Sequence, residues 1–345
     1  MNGQASIYRH RRTCHTLPAT RTPSMANLHD RWNHADAHQY LARVGRMPPT
    51  IICVACNGGI QGKESNPNLP ETPEEIAESV RGAYEAGASM VHVHARQEEF
   101  PTRPAVTTER WLEVNAKIRE ACPLIIINDT TGGGPDMTNE ERLQCLDARP
   151  EVASLNLTPD MSRFKIRARP APLPDPRPEM IYDECLPFSY HQIKHFATEM
   201  KARGIKPELE TYHPGGGWVI RFLIEEGLVE KPYWIQTVMG YQTSSLPTVD
   251  NVLQMIREFP EDTVWLTSGI GPHQLPMTTL ATVLGGHVRV GLEDNVYYRR
   301  GEKAQSNRQL VERAVRIIHE HNREVATPAQ AREMLNLSPT PTAYD

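Results

Sequence analysis

Two hydrophobic periods alternate along most of this chain. From Pro49 onward, short apolar runs rich in β-branched residues are separated by longer stretches in which apolar positions recur at helical spacing. That alternation predicts a parallel sheet joined by crossover helices. Strands are expected near Thr50 to Cys56, Ser89 to His94, Leu124 to Asp129, Val152 to Leu157, Lys206 to Thr211, Tyr233 to Val238, Thr263 to Thr267 and His287 to Leu292. Eight such strands suggest an α/β fold closed as a single (β/α)8 barrel. The helices between them carry start signals: Thr72-Pro73-Glu74-Glu75 places a cap, a first-turn proline and two acids before Ile76 to Ala86, and Gly87 closes that helix. Similar starts stand at Thr107-Thr108-Glu109 and Thr138-Asn139-Glu140-Glu141. A long helix near Lys303 to His321 precedes a short C-terminal helix opened by Thr327-Pro328-Ala329. The proline-rich stretch 159–178 breaks the pattern and is expected to be a long loop, uncommon unless functional or at an interface. The barrel domain therefore spans 49–337, with an N-terminal arm over 1–48 and a tail over 338–345.

Polar residues fall at the ends of these strands rather than at random. Strand one leads into Asn57-Gly58-Gly59, strand two carries His92 and His94, and strand three runs into Asp129-Thr130-Thr131-Gly132-Gly133-Gly134. Strand four carries Ser154 and Asn156, strand five Glu208 and Glu210, and strand eight ends in Glu293-Asp294. Catalytic groups of such barrels sit at the C-terminal strand ends. The candidate substrate-binding residues are accordingly Asn57, Thr130, Thr131, Gly132, Ser154, Asn156 and Glu210.

His92 and His94 are spaced i, i+2, which puts both imidazoles on one face of a strand. A single strand histidine is more often a satisfied core residue, but a pair on one face suits a metal. In a closed barrel, strands two and eight flank strand one, so a carboxylate from strand eight can join the pair. Glu293 is the better candidate. His92, His94 and Glu293 would then form a three-ligand site of the catalytic-zinc kind. Asp294 beside it suits a general base, with Arg289 holding it ionised or holding a substrate carboxylate; a structural Arg-Asp pair is the alternative. Glu208 and Glu210 share a strand face and are either a second proton-handling group or hydrogen-bond acceptors behind the site. The glycine loop after strand three suits an anion, or is a plain turn.

Composition narrows the partners. With 345 residues, a net charge of −5 and a pI near 6.3, the chain offers no broad basic surface for nucleic acid or anionic membrane, so an acidic ligand needs a local basic pocket. No run reaches a membrane span, and the N-terminus lacks the apolar core of a secretory signal. Cysteines at 14, 53, 56, 122, 145 and 185 form no disulfide framework and fit a reducing cytoplasm. Cys53 and Cys56 make a C-x-x-C within an apolar strand, where buried thiols are a better account than a redox or zinc site. The arm resembles a transit peptide weakly; a disordered arm, or a start at Met25, explains its composition better.

The chain resembles the β-keto acid cleavage enzymes, zinc-dependent TIM barrels. The segments that carry the likeness are Val91-His92-Val93-His94-Ala95-Arg96, Asp129-Thr130-Thr131-Gly132-Gly133, Ala153-Ser154-Leu155-Asn156-Leu157, Lys206-Pro207-Glu208-Leu209-Glu210, Gly285 to Asn295, Arg300-Gly301 with Ser306-Asn307, and Ala326 to Arg332. The resemblance implies an acyltransferase that turns a β-keto acid and acetyl-CoA into acetoacetate and a new acyl-CoA. It implies Zn2+ on His92, His94 and Glu293, Asp294 with Arg289 as the proton-abstracting pair, Glu208 as a further catalytic candidate, and a cytoplasmic homotetramer. Members with cationic substrates can carry an acid where this chain has Ile60, so a cationic substrate tail is not expected. Two other readings remain open from the residues: a metal-dependent hydrolase or aldolase acting without CoA, and a binding or assembly barrel without catalysis.

Overall fold

Apolar runs of four to seven residues are too short to be buried helices, and in the computed structural model each becomes a strand. The structure describes residues 34, 36–134 and 136–344. The strands are β1 Ile52–Ala55, β2 Met90–Val93, β3 Ile126–Asp129, β4 Val152–Asn156, then β5 Asp160–Ile166 and β6 Met180–Leu186 outside the barrel, and β7 Lys206–Thr211, β8 Tyr233–Met239, β9 Thr263–Gly269 and β10 His287–Val290. All except β5 and β6 pair in parallel into a closed barrel of order β1-β10-β9-β8-β7-β4-β3-β2. The expected TIM barrel is therefore the observed fold. A small antiparallel pair, β11 Tyr297–Arg299 and β12 Glu302–Lys303, follows the last barrel strand.

The caps act as the sequence implies. Thr72 and Thr138 each close a reciprocal capping box, opening α2 Pro73–Glu85 and α4 Asn139–Asp147, whose expected partner α3 Thr108–Ala121 starts at Thr107 without a side-chain cap bond. Helix α1, Ala37–Val44, lies within the described part of the arm, residues 34 and 36–48; Met25 and Cys14 lie outside the described residues. After α5 Tyr190–Ala202, α6 Gly216–Glu225, α7 Val249–Glu258 and α8 Gln274–Val283, the long helix is α9 Asn307–Glu320 and the terminal one is α10 Pro328–Leu335. Among the described residues no helix is long and apolar enough to cross a membrane.

Two apolar layers result. One lies between the strands and the helices. The other fills the barrel's N-terminal end, where Ile51, Cys53, Met90, Ile126 and Trp234 pack against Ala331, Met334 and Leu335 of α10. Helix α10 thus plugs the bottom of the barrel, and the opposite mouth stays open to a large cavity. Cys53 and Cys56 are free, buried thiols.

The stretch expected to be a loop is a hairpin. Residues β5 and β6 pair in antiparallel register from Asp160↔Leu186 to Ile166↔Met180, and the prolines lie in the turn beyond them. No apolar alternation marks it, because its inward positions include Asp160 and Ser162. Past its strands the hairpin is pinned to the loop after β1 by a buried charge cluster. Arg169 donates to Glu64 Oε2 at 2.7 Å and forks onto both oxygens of Glu71 at 2.8 Å, while Arg177 holds Glu64 Oε1 at 3.0 Å. The side chains of Arg169 and Glu64 are fully buried, so neither carboxylate has water to fall back on. Arg169→Met should therefore lower stability by roughly 3–5 kcal/mol in chemical denaturation, since it strands two buried carboxylates. A loss under about 1 kcal/mol would show that the cluster is not a buried ion pair in solution.

Candidate active site

The geometry of the mouth is set by β1, which lies between β2 and β10. His92 and His94 reach over it from one side and Glu293 from the other. The two Nε2 atoms stand 3.2 Å apart, and Glu293 Oε1 lies 3.3 Å from that of His94 and 3.7 Å from that of His92. A tetrahedral ion with ligand bonds of about 2.0–2.1 Å separates its ligands by about 3.3–3.4 Å. The three atoms already form a triangle of that size, so the residues present fit a zinc-like cation.

Backbone chemistry holds this triangle in place. After β10 the chain passes so close to β1 that a Cβ on Gly291 would lie 1.9 Å from the Ala55 carbonyl oxygen, at a φ of +152°. Glu293 N–H then donates to that same oxygen at 3.2 Å. Asn307 staples the two strand ends, accepting from Leu292 N–H at 2.9 Å and donating to Cys56 O at 2.8 Å. Asn57 donates to His94 O at 2.7 Å and accepts from His94 N–H at 3.1 Å. Its amide therefore positions a histidine and does not line the cavity.

Arg289 is the guanidinium among the carboxylates of the mouth. Its Nε and Nη2 fork onto Asp294 at 3.0 and 2.9 Å, Nη2 also reaches Glu293 at 2.6 Å, and Nη1 lies 3.6 Å from Glu210. It thus orients the expected ligand as well as the expected base. Burial favours the uncharged form of Asp294 and pushes its carboxyl up to about 6, against the pull of Arg289. For Glu293 burial acts the same way, but Arg289 and the two imidazoles outweigh it and hold its carboxyl well below the usual range. Burial and then Arg289 keep His92 well below its ordinary value, in the neutral form that binds metals.

Glu208 and Glu210 prove to be unlike. Both lie on the inward face of β7, but two residues along a strand differ in depth by almost 7 Å. Glu208 sits beneath the site, accepting from Trp234 Nε1 at 2.7 Å and Asn128 Nδ2 at 2.8 Å. It does not line the cavity, and two of its contacts are spent on Trp234 and Asn128 behind the site. Glu210 does line it. Burial raises the two carboxyls to about 7 and about 8. Even with Glu210 protonated, Glu293 and Asp294 outnumber the single guanidinium, and a divalent cation would offset the excess charge. Glu208 and Glu210 also form, with His92, a second group of metal-binding character.

A cavity of about 1100 Å³ opens over these residues. His92, His94, Glu293, Asp294, Arg289, Glu210, Thr130, Gly132 and Asn156 line it, as the sequence places them. Thr131 and Ser154 do not. Thr131 donates its hydroxyl to Ser154 O at 2.6 Å and its N–H to Ser154 Oγ at 3.3 Å, and Gly132 N–H is taken by Thr130 Oγ1 at 3.0 Å. The Thr131 and Gly132 amides are thus satisfied within the loop, while Gly133 lines the cavity. Asp129 turns away to Asn115 at 2.8 Å, leaving Thr130 to face the ligand. Phe164 and Tyr182 of the hairpin, with Tyr212 and Tyr241, also line the cavity and were not foreseen. Tyr212 follows directly on a strand end, where the rule that found the others applies equally; the hairpin residues had no such signal.

Fold and site together define a (β/α)8 barrel enzyme whose mouth holds a cation-competent triad beside a carboxylate–guanidinium pair. The beta-keto acid cleavage enzyme model matches residues 49–337, and the chain belongs to that family. It is 39% identical to the 3-keto-5-aminohexanoate cleavage enzyme of Fusobacterium nucleatum over 292 residues, covering 84% of this chain and 99% of that one. It is 34% identical to the 3-oxoadipate:acetyl-CoA acetyltransferase of Cupriavidus necator, covering 84% and 95%. Among solved structures, the binary complex of ObcA with oxaloacetate shares the fold at a TM-score of 0.64 and 20% identity, over 79% of this chain and 68% of that one.

Gly58 supplies a test of the triangle. Its φ is +66°, and a Cβ there would lie 2.8 Å from Glu293 Cγ. Gly58→Ala should displace Glu293 and weaken Co2+ affinity roughly 10–100-fold in an absorbance titration, with the far-UV spectrum kept. Unchanged affinity would show that Glu293 is not a ligand.

Proposed function

We propose that this protein is a zinc-dependent acyltransferase that converts a β-keto acid and acetyl-CoA into acetoacetate and a new acyl-CoA. The observation that carries this reading is the Asp294–Arg289 pair standing directly beside the His92–His94–Glu293 triangle in one cavity. Family membership and the acetyl-CoA-dependent names of relatives support it. His92, His94 and Glu293 would hold the zinc, whose Lewis acidity lowers the cost of negative charge on the keto acid's oxygens.

The remaining chemistry falls to the chain's own residues. Asp294, aimed by the Arg289 fork, takes the proton from the carbon between ketone and carboxylate. That carbon attacks the acetyl carbonyl and expels the CoA thiolate. The thiolate adds to the original keto carbon, the bond from that carbon to the α-carbon breaks, and Asp294 returns its proton to the α-carbon of the departing acetoacetate. Thr130 and Asn156 offer polar side chains to the substrate, and protonated Glu210 adds a donor. Ile60 lines the cavity and offers no charge to pair with a cation, which supports a substrate without a cationic tail. A cytoplasmic homotetramer belongs to the same proposal and rests on the family resemblance and the free buried thiols.

The test is a panel of β-keto acids incubated with zinc-loaded protein and acetyl-labelled acetyl-CoA. Labelled acetoacetate is expected from at least one member. Its absence throughout, or turnover indifferent to acetyl-CoA, favours the hydrolase or aldolase reading instead. Metal analysis separates the two neighbouring acids: Glu293→Gln should lose zinc, whereas Asp294→Asn should keep zinc and lose turnover by roughly 100-fold or more. The reverse pattern would mean the two roles are exchanged.

A further inference from the structure

The cavity's charge is segregated by depth. Its floor carries the carboxylates of Glu210, Glu293 and Asp294 around Arg289, but its rim is basic. Two of the rim cations are already engaged, Lys165 with Glu179 and Arg299 with Glu302, each at 2.6 Å. The other three have no carboxylate partner among the described residues. They are Arg167 beyond β5, Arg300 in the turn between β11 and β12, and Arg313 on α9.

Two of them have aromatic rather than acidic supports. Arg167 Nη2 donates to Tyr297 OH at 3.1 Å, which joins the two accessory hairpins into one rim. Arg313 donates to the Tyr298 carbonyl oxygen and lies 4.7 Å from the centre of the Tyr298 ring. Tyr297 and Tyr298 both line the cavity. A chain of net charge −5 has acids enough to neutralise surface arginines, and a trio at the barrel mouth without carboxylate partners among the described residues is a local basic pocket of the sort an acidic ligand needs. Guanidinium groups suit phosphate in particular, because their paired N–H donors match its oxygens.

We infer that Arg167, Arg300 and Arg313 bind the phosphates of the CoA nucleotide, so that its pantetheine arm descends from the rim to the carboxylates and triad on the floor. This rests on the acetyl-CoA reading above and adds to it where the cofactor-sized co-substrate sits. It also gives the hairpin an office: β5 and β6 bring Arg167 to the rim, and the Arg169 cluster fixes them there.

The experiment compares wild type with Arg167→Gln, Arg300→Gln, Arg313→Gln and the triple variant, using zinc-loaded full-length protein. Calorimetry measures binding of CoA, dephospho-CoA and pantetheine. Kinetics compare acetyl-CoA with S-acetylpantetheine, which has no nucleotide. Wild type should bind CoA far more tightly than pantetheine, and each substitution should weaken CoA by roughly tenfold, with the dependence on salt reduced and pantetheine binding little affected. The KM advantage of acetyl-CoA over S-acetylpantetheine should shrink toward unity in the triple variant. Dephospho-CoA resolves which phosphate is held: loss of tight binding without the 3′-phosphate assigns the rim to that group, and retention assigns it to the diphosphate. CoA affinity unaltered in the triple variant, or CoA and pantetheine weakened equally, overturns the inference. Because binding is read without turnover, a protein that binds CoA through these arginines yet yields no acetoacetate would refute the proposed reaction and leave this site standing.

Discussion

One buried guanidinium organises the mouth of this barrel. Arg289 stands on β10, is itself buried, and touches Asp294, Glu293 and the edge of Glu210 at once. Removing it would leave several carboxylates together without compensation, a state that burial makes costly. Its contacts also divide labour between neighbours in sequence. Glu293 is held charged and turned toward the imidazoles, while Asp294 is raised by burial toward the range where a carboxylate can both take and return a proton.

The rest of the fold serves to make that arrangement rigid and reachable from one side. Gly291 lets β10 press against β1, Asn307 ties their ends, and Asn57 fixes the strand that carries His94. Below, α10 fills the barrel with apolar side chains. Above, the β5–β6 hairpin and the β11–β12 pair line the mouth with Phe164, Tyr182, Tyr297 and Tyr298. The fold thus places the Arg289 carboxylate cluster within a single cavity that these two pairs help to line.

Much of this was legible in the chain because strand periodicity and strand-end polarity are local signals. The i, i+2 spacing of His92 and His94 required a shared face, and the nearness of Glu293 followed from barrel closure, in which the first strand has the second and the last as neighbours. What escaped is what periodicity cannot encode. Glu208 and Glu210 share a face, yet only depth along the strand separates a buried acceptor of Trp234 from a cavity wall. Asn57, Thr131 and Ser154 stand at the correct end of the barrel but spend their hydrogen bonds on the backbone, a matter of side-chain direction. The hairpin was invisible because its inward face is polar and its stabilising ion cluster joins residues about a hundred positions apart.

The central claim is that one cation shares His92, His94 and Glu293, and the structure offers it a rival in His92, Glu208 and Glu210. A crystal of the zinc-loaded protein, with anomalous diffraction recorded on both sides of the zinc edge, decides between them. The account predicts one strong peak with the Nε2 atoms of His92 and His94 at about 2.0–2.1 Å and a Glu293 oxygen at about 2.0–2.2 Å. A peak bound by Glu208 and Glu210, or none at this site at full zinc loading, would contradict it.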